Sequence, residues 1–326
     1  MSWLIFLAIV SFLGLYLYTP LYNIVWAKKF NPEGKHCYIT GGSTGLGKSL
    51  AVEMAKRGAH VTIVARKKEA LETAVAEIKR ARKTQSQVIN YISADVSVKE
   101  EAQRALEEAI ELQQGLVPEY VFPCAGLAMP GLFIDQGVET FERTMQLNYF
   151  GALYTVHAAV KRMIEQNIKG KILLVSSTAG LLAFVGYASY SPTKFAVRGL
   201  AEVLRNELAM YDIDVHCYFP GNMDTPGLKT ENETKPQITK QIEGEDSAIS
   251  PDAAAQALVQ AISENHCFIS SDLIGNLARC ANKGFVPSNN VLIDLGLSIV
   301  SLVAAPIIRI FVDYEVISYG RKLKKN

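Results

Sequence analysis

Seven short apolar stretches alternate with longer amphipathic stretches between residues 34 and 275. Because most of the short stretches are continuous apolar runs, they are typical of parallel strands that are covered on both faces. The predicted strands are residues 35–40, 60–66, 87–95, 120–124, 171–176, 214–219 and 267–270. Helices are predicted between them, among others at residues 48–57, 69–82, 139–166 and 193–211. Regular alternation of strand and helix predicts an α/β fold with a doubly wound parallel sheet and right-handed crossovers.

The first 27 residues carry no charged side chain. The apolar stretch from Trp3 to Trp26 is long enough to cross a bilayer, and aromatic residues lie near both of its ends, as interfacial aromatics do. A cleaved signal peptide is the alternative, but the stretch has no basic N-terminal region and is too long. We therefore expect a transmembrane helix at residues 1–27. Lys28 and Lys29 follow it, which predicts that the rest of the chain faces the cytosol.

A second apolar run, residues 295–308, lies between Asp294 and Arg309. It is short for a membrane span, so the sequence favours a re-entrant or interfacial segment, with a buried core helix as the alternative. The chain ends in a lysine-rich tail at residues 322–326. This tail is similar to the retrieval signal of endoplasmic-reticulum membrane proteins. Lysine-rich tails are common, but together with the anchor this one predicts the endoplasmic reticulum membrane.

Composition and charge exclude several classes of function. The net charge is +1 and no basic stripe would follow a phosphate backbone, so nucleic acid is not an expected partner. The five cysteines are odd in number and no pair has C-x-x-C spacing. That pattern indicates neither a disulfide framework nor a zinc site, and we expect no bound metal.

A glycine-rich turn follows the first predicted strand and leads directly into a helix. Glycines are needed where the backbone turns tightly and approaches a pyrophosphate at a helix N-terminus. The spacing here is G-x-x-x-G-x-G rather than G-x-G-x-x-G, and its position between strand and helix is what makes it informative. The residues predicted to bind a dinucleotide are Gly41, Ser43, Thr44, Gly45, Leu46 and Gly47.

The charge after the second predicted strand distinguishes the two dinucleotides. An enzyme that uses NAD places an acidic residue there to bind the ribose 2′-hydroxyl. Here the strand ends in Arg66, which is followed by Lys67. A guanidinium suits a 2′-phosphate, so the sequence predicts NADPH as the cofactor. Asp95, which closes the third strand, is expected to border the adenine. The alternative is that Arg66 is only a surface charge.

Tyr190 and Lys194 lie four residues apart at the start of a predicted helix, which puts them on one helical face. A tyrosine has an ordinary pKa near ~10, and a nearby ammonium would lower it and suit the phenol to proton transfer. Y-x-x-x-K alone occurs by chance in many helices. Two further polar residues accompany it: Ser177, with Ser176 as its alternative, at the end of a strand, and Asn148 in a helical region.

In this order, Asn148, Ser177, Tyr190 and Lys194 resemble the tetrad of the short-chain dehydrogenase/reductase family. Motif-like stretches at residues 124–126 (Cys-Ala-Gly) and 219–221 (Phe-Pro-Gly) fall at family-like places. The chain departs from the family at residues 123 and 124, where Pro-Cys replaces the usual Asn-Asn, so a side-chain hydrogen bond is lost.

The resemblance implies a role for each matched residue. It implies that Tyr190 protonates the developing alkoxide, while Lys194 lowers the pKa of that phenol and binds the nicotinamide ribose. Ser177 would orient the carbonyl, and Asn148 would support a proton relay through water. The resemblance also implies that Thr225 contacts the nicotinamide amide.

The polar stretch 222–249 lacks clear periodicity and follows a strand end, which suits a substrate loop. Its residues 224–227 and 231–236 resemble family members that reduce a long-chain keto-sphingoid base. The resemblance implies an NADPH-dependent reductase that meets its substrate at the membrane lipid, and many relatives are homo-oligomers. Two alternatives stay open: an anchored family member acting on steroids or retinoids, and a non-catalytic binding protein on the same fold. The intact tetrad counts against the latter.

Three regions therefore divide the chain. Residues 1–27 are the expected transmembrane anchor, and residues 34–275 form the NADP-binding catalytic domain, which includes the substrate loop at 222–249. Residues 276–326 form a hydrophobic membrane-associated segment with a basic tail.

Overall fold

The computed structural model describes residues 30–244 and 248–323, together with residues 3, 5–7, 10, 11, 13 and 14. Seven parallel strands form one sheet in the order β3-β2-β1-β4-β5-β6-β7. The strands are β1 His36–Thr40, β2 His60–Ala65, β3 Ile89–Ser93, β4 Tyr120–Pro123, β5 Gly170–Val175, β6 Ile213–Tyr218 and β7 Phe268–Ile269. Each lies within two residues of its predicted bounds. The prediction of a doubly wound parallel sheet is confirmed.

Helices cover both faces of this sheet and produce three layers. They are α1 Gly45–Lys56, α2 Lys68–Ala81, α3 Lys99–Leu112, α4 Val138–Met145, α5 Gly151–Glu165, α6 Ser191–Leu208, α7 Pro226–Thr234, α8 Gln237–Glu243, α9 Pro251–Ser263, α10 Leu273–Ala281 and α11 Val291–Leu323. Buried side chains of α1, α2 and α9 form the core on one face. Those of α3, α5 and α6 form the core on the other.

The chain reverses its direction across the sheet at β1, which places a crevice at the carboxyl ends of the strands. In the register of the sheet, Thr40 of β1 lies opposite both Val64 of β2 and Pro123 of β4. Ligands of open α/β sheets bind in the crevice at such a switch point. The glycine-rich turn after β1 therefore lies in the position that a nucleotide would occupy.

The predicted helix at residues 139–166 is interrupted. A π-helical turn, Gln146–Phe150, separates α4 from α5. Asn148 lies within this turn, and its side chain bonds both ways to the backbone of Leu127, at 2.9 Å for each bond. Turns of this kind are frequent at functional sites, because the wider turn redirects a side chain. The hydrophobic periodicity of the sequence predicts the helix but not the wider turn within it.

The predicted substrate loop contains two short helices, α7 and α8, which we call the lid. The Thr225 hydroxyl caps α7 by accepting a hydrogen bond from the Leu228 N–H at 3.1 Å. Lys235 precedes Pro236, and a residue before proline is disfavoured in the α conformation, so α7 ends there. Neither of these helices was predicted. Helices of nine and seven residues are too short to give a clear periodicity.

The carboxyl-terminal apolar run belongs to α11, a helix of 33 residues. The apolar 18-residue stretch of this helix has a mean hydropathy of 2.3, and only 11% of it is buried. The alternative of a buried core helix is therefore wrong. Within the part of the chain described, it is the one helix whose length and composition would allow it to cross a membrane. The helix continues beyond Arg309, so its length does not exclude a span. The predicted anchor, for most of its length, and tail residues 324–326 lie outside the described residues.

A buried ion pair joins α11 to α10, the helix that precedes it. The Arg279 guanidinium of α10 donates to both carboxylate oxygens of Asp294, at 2.8 and 3.0 Å. The Asn289 N–H also donates to this carboxylate, at 3.1 Å. Two parallel bonds between a guanidinium and a carboxylate fix orientation as well as distance. This pair therefore sets the position of α11 against the rest of the fold.

Replacing Asp294 with alanine would leave the Arg279 guanidinium buried without its partner. We expect the free energy of unfolding to fall by about 3–5 kcal/mol. Asp313→Ala is the matched control, because Asp313 pairs with Arg309 on the exposed surface of α11, and it should cost less than about 1 kcal/mol. Urea unfolding of the detergent-solubilised protein, followed by circular dichroism, measures both. Equal losses in the two variants would contradict the role given to the buried pair.

Candidate active site

The glycine-rich turn presents bare backbone to the crevice. Gly41 has a φ of +67°, and a Cβ placed on it would lie 2.7 Å from the Ala125 nitrogen. A Cβ on Gly47 would lie 2.4 Å from the Gly41 carbonyl oxygen. Both positions therefore require glycine. Thr225 lies across from the turn, since a Cβ on Gly45 would be 3.0 Å from its methyl group. The cradle fits a dinucleotide pyrophosphate at the start of α1.

The other residues predicted to bind the cofactor differ in their accessibility and in their contacts. Ser43 and Thr44 are accessible, whereas the Leu46 side chain is buried in the core, so Leu46 can offer only its backbone. Arg66 is exposed, and its guanidinium lies 3.9 Å from the Asp95 carboxylate. Asp95 also accepts a hydrogen bond from the Ser97 hydroxyl at 2.6 Å. Lys67 directly precedes α2.

Lys194 is buried in the first turn of α6, beside the carboxyl end of β5. Its ammonium donates to the Val175 carbonyl at 3.0 Å and lies 5.5 Å from the centroid of the Tyr190 ring. Burial lowers the pKa of Lys194 to about 8, while the thiols of Cys217 and Cys124 act in the opposite direction. The side chain thus keeps most of its charge near neutral pH, next to the predicted proton donor.

Tyr190 directly precedes α6 and has a perturbed phenol. Burial and the negative charge of Glu231 raise its pKa above the ordinary value, and a hydrogen bond with Ser177 lowers it in part. We expected the Lys194 ammonium to lower this pKa, but the causes that raise it are larger, and the pKa of the phenol stays above its ordinary value. Tyr190 is therefore a protonated phenol at neutral pH, which is the form that donates a proton.

The two neighbouring serines have different partners. The Ser176 hydroxyl is buried and donates to the Lys194 carbonyl at 2.8 Å. The Ser177 hydroxyl accepts a bond from the Ala179 N–H at 3.1 Å and interacts with the Tyr190 phenol. Only Ser177 can direct its hydroxyl proton to a group held at Tyr190. This geometry favours Ser177 over Ser176 as the substrate-orienting serine.

Asn148 joins the π-helical turn to α6. Its side-chain amide donates to the Thr193 hydroxyl at 3.0 Å, and that hydroxyl donates to the Tyr190 carbonyl at 2.7 Å. A Cβ on Gly126 would lie 3.1 Å from the Asn148 side-chain oxygen and 3.5 Å from the Lys194 ammonium. The four predicted catalytic residues therefore converge at the ends of β4 and β5, and Thr193 is an additional residue that positions them.

A second group of polar residues, which the sequence did not reveal, faces the same region. We call Tyr187, Glu231, Lys235 and Glu243 the lid cluster. The Tyr187 hydroxyl lies within hydrogen-bond distance of both carboxylates, 2.5 Å from Glu231 and 2.7 Å from Glu243, and can donate its single proton to either of them. The Lys235 ammonium lies 2.7 Å from Glu243 and 3.3 Å from Glu231. The spacing of Glu231 and Lys235 is that of a helical ion pair, but no helix was predicted there.

Comparison with known proteins agrees with this geometry. The family described as short chain dehydrogenase matches residues 35–236. A short-chain type dehydrogenase/reductase of Mycobacterium ulcerans shares the fold, with a TM-score of 0.64 at 23% identity over 74% of this chain and 89% of that one. The chain belongs to the short-chain dehydrogenase family. It is therefore an oxidoreductase with a nicotinamide cofactor.

Similar proteins with assigned names point to one branch of that family. A 3-ketodihydrosphingosine reductase of Cryptococcus neoformans is 38% identical over 319 residues, covering 98% of this chain and 95% of that protein. One from Bos taurus is 36% identical over 288 residues, covering 87% and 85%. A 3-dehydrosphinganine reductase of Danio rerio is 39% identical over 255 residues, covering 77% and 75%.

The serines provide a matched test of the site. Ser177→Ala removes the hydroxyl that would hold the substrate oxygen, so we expect turnover to fall about 10²-fold or more. Ser176→Ala removes a hydrogen bond to the backbone of α6 and should cost about 0.5–1.5 kcal/mol of stability with turnover within a few fold of the parent. Steady-state kinetics and thermal unfolding of both variants measure this. The reverse ranking of turnover would assign the role to Ser176.

Proposed function

We propose that this protein reduces 3-ketodihydrosphingosine to dihydrosphingosine with NADPH, in sphingolipid synthesis. The similarity to reductases of that name over most of the chain supports the substrate. The observation that carries the chemistry is the convergence of Tyr190, Ser177 and Lys194 beside the glycine-rich turn.

The chain's own residues supply a proton and hold the substrate oxygen. A nicotinamide dinucleotide, when bound, supplies the hydride. The Tyr190 phenol, kept protonated by burial, donates its proton to the oxygen as negative charge develops there. The Ser177 hydroxyl orients the same oxygen. The charge of Lys194 favours the phenolate that remains on Tyr190, and it can also bind the nicotinamide ribose.

NADPH, rather than NADH, is proposed from the charge at the end of β2. Arg66 is 57% exposed, so its guanidinium is accessible to a 2′-phosphate. Its weak contact with Asp95, at 3.9 Å, leaves the guanidinium able to bind a second anion. Exposed ion pairs of this kind contribute little to stability, so replacing the contact with Asp95 by a charge-assisted bond to a phosphate is favourable.

A membrane location is proposed from α11 and the uncharged first 27 residues. The apolar side chains of α11 are largely exposed, among them Leu302, Val303 and Ile310. The lid contacts this helix, since the Gln241 amide of α8 donates to Glu315 at 2.7 Å. A substrate with a long alkyl chain partitions into a bilayer, so a lid beside such a helix suits its entry. We propose the endoplasmic reticulum membrane, with the catalytic domain in the cytosol.

Tyr190→Phe tests the proposed reaction. The variant keeps the ring but loses the proton donor, so reduction of 3-ketodihydrosphingosine should fall by about 10²–10⁴-fold. NADPH binding, followed by nucleotide fluorescence, should change little. Tyr211→Phe, at an exposed position beyond the carboxyl end of α6, is the control and should keep full activity. Full activity in Tyr190→Phe would overturn the proposal.

Arg66→Asp tests the choice of dinucleotide. A carboxylate in place of the guanidinium repels a 2′-phosphate, so the KM for NADPH should rise about 10-fold or more and the preference over NADH should narrow. Arg80→Asp carries the same charge change on an exposed position of α2 and should leave both KM values unchanged. If the ratio of the KM values for NADPH and NADH were the same in Arg66→Asp as in the parent, the assignment would be contradicted.

A further inference from the structure

The lid cluster has an excess of negative charge. It contains two carboxylates, Glu231 and Glu243, and one ammonium, Lys235, while Tyr187 is a neutral phenol whose pKa is raised by burial and by both carboxylates. The Lys235 side chain is only 1% exposed, and the carboxylate side chains are 15% and 16% exposed. Burying an unbalanced charge is costly unless a partner compensates it. With both carboxylates ionised, the cluster therefore carries one negative charge that none of its own residues compensates.

Glu231 is the member that can accept a further cation. Glu243 uses both of its oxygens, one for the Tyr187 hydroxyl and the other for the Lys235 ammonium. Glu231 makes both of its contacts, with the same two partners, through Oε1. Its other oxygen, Oε2, takes part in neither of these contacts. A carboxylate oxygen remains available beside the active site.

The cluster adjoins the proton donor. The rings of Tyr187 and Tyr190 have centroids 5.9 Å apart, and the charge of Glu231 is among the causes that raise the Tyr190 pKa. The turn that carries Tyr187 is fixed to the lid, because the Thr239 hydroxyl donates to the Val185 carbonyl at 3.0 Å. A ketone held at Tyr190 and Ser177 therefore has its neighbouring substituents close to Glu231.

We propose that Glu231 binds the ammonium of an α-amino ketone whose carbonyl oxygen is held at Tyr190 and Ser177, and so selects protonated amino ketones over neutral ketones. This inference rests on the proposed function, since 3-ketodihydrosphingosine carries an amine on the carbon next to its ketone. The ammonium supplies the positive charge that the lid cluster lacks. It also compensates the negative charge that disfavours the Tyr190 phenolate, so binding of this substrate makes Tyr190 a better proton donor.

The experiment compares two ketones and three forms of the full-length, detergent-solubilised protein with NADPH. The ketones are 3-ketodihydrosphingosine and a long-chain 1-hydroxy-3-ketone of the same length without the amine. The protein forms are the parent, Glu231→Gln, which keeps the size of the side chain and removes its charge, and Glu233→Gln, which removes an exposed charge from the same helix. The measured quantity is the ratio of kcat/KM for the two ketones.

The parent and Glu233→Gln should both prefer the amino ketone by roughly 10- to 100-fold, as expected of a charge-assisted hydrogen bond. Glu231→Gln should lose that preference through a fall in kcat/KM for the amino ketone, whereas its kcat/KM for the neutral ketone should not fall, because the charge that disfavours the Tyr190 phenolate has been removed. An equal loss on both ketones would show a structural role only and overturn the inference, as would a parent that reduces both ketones equally well. This second outcome is measured on the parent alone, so it does not depend on whether a variant folds. A parent that reduces neither ketone would instead refute the proposed function itself.

Discussion

The burial of the Lys194 ammonium at the end of β5 is the interaction on which the site depends. The Lys194 ammonium donates to the Val175 carbonyl, and the Ser176 hydroxyl donates to the backbone carbonyl of Lys194. A buried ammonium without such partners would be costly, so β5 and the start of α6 must keep this arrangement. This arrangement also positions Ser177 and Tyr190, because Ser177 lies just after β5 and Tyr190 directly precedes α6. Asn148, through Thr193, fixes the first turn of α6 from the other side.

The lid connects this polar centre to the apolar helix α11. Thr225 begins the lid beside the glycine-rich turn, Glu231 lies near the phenol, and Gln241 contacts α11. The Arg279–Asp294 pair fixes α11 to α10. The protein therefore offers a polar site with a carboxylate and a proton donor next to an apolar helix. An amino ketone with a long alkyl chain matches both parts, because its head is polar and its tail is apolar.

Much of this arrangement could be predicted from the sequence, because its signals are local. Continuous apolar runs predicted all seven strands, and the spacing of Tyr190 and Lys194 predicted their shared helical face. Features set by tertiary contacts could not be predicted. The π-helical turn at Asn148 depends on a bond to Leu127, and the raised pKa of Tyr190 depends on burial and on Glu231, which lies 41 residues (231 − 190) further along the chain. The lid helices are too short for periodicity to reveal them.

Product analysis from a mixed pool of carbonyl compounds tests the central claim most directly. The purified full-length protein would be incubated with NADPH and equal amounts of 3-ketodihydrosphingosine, a steroid ketone and retinal, and the alcohols identified by mass spectrometry. A buried proton donor beside a carboxylate-rich lid predicts dihydrosphingosine as the main product at early times. Preferential reduction of the steroid or of retinal, with the amino ketone left unchanged, would contradict the account.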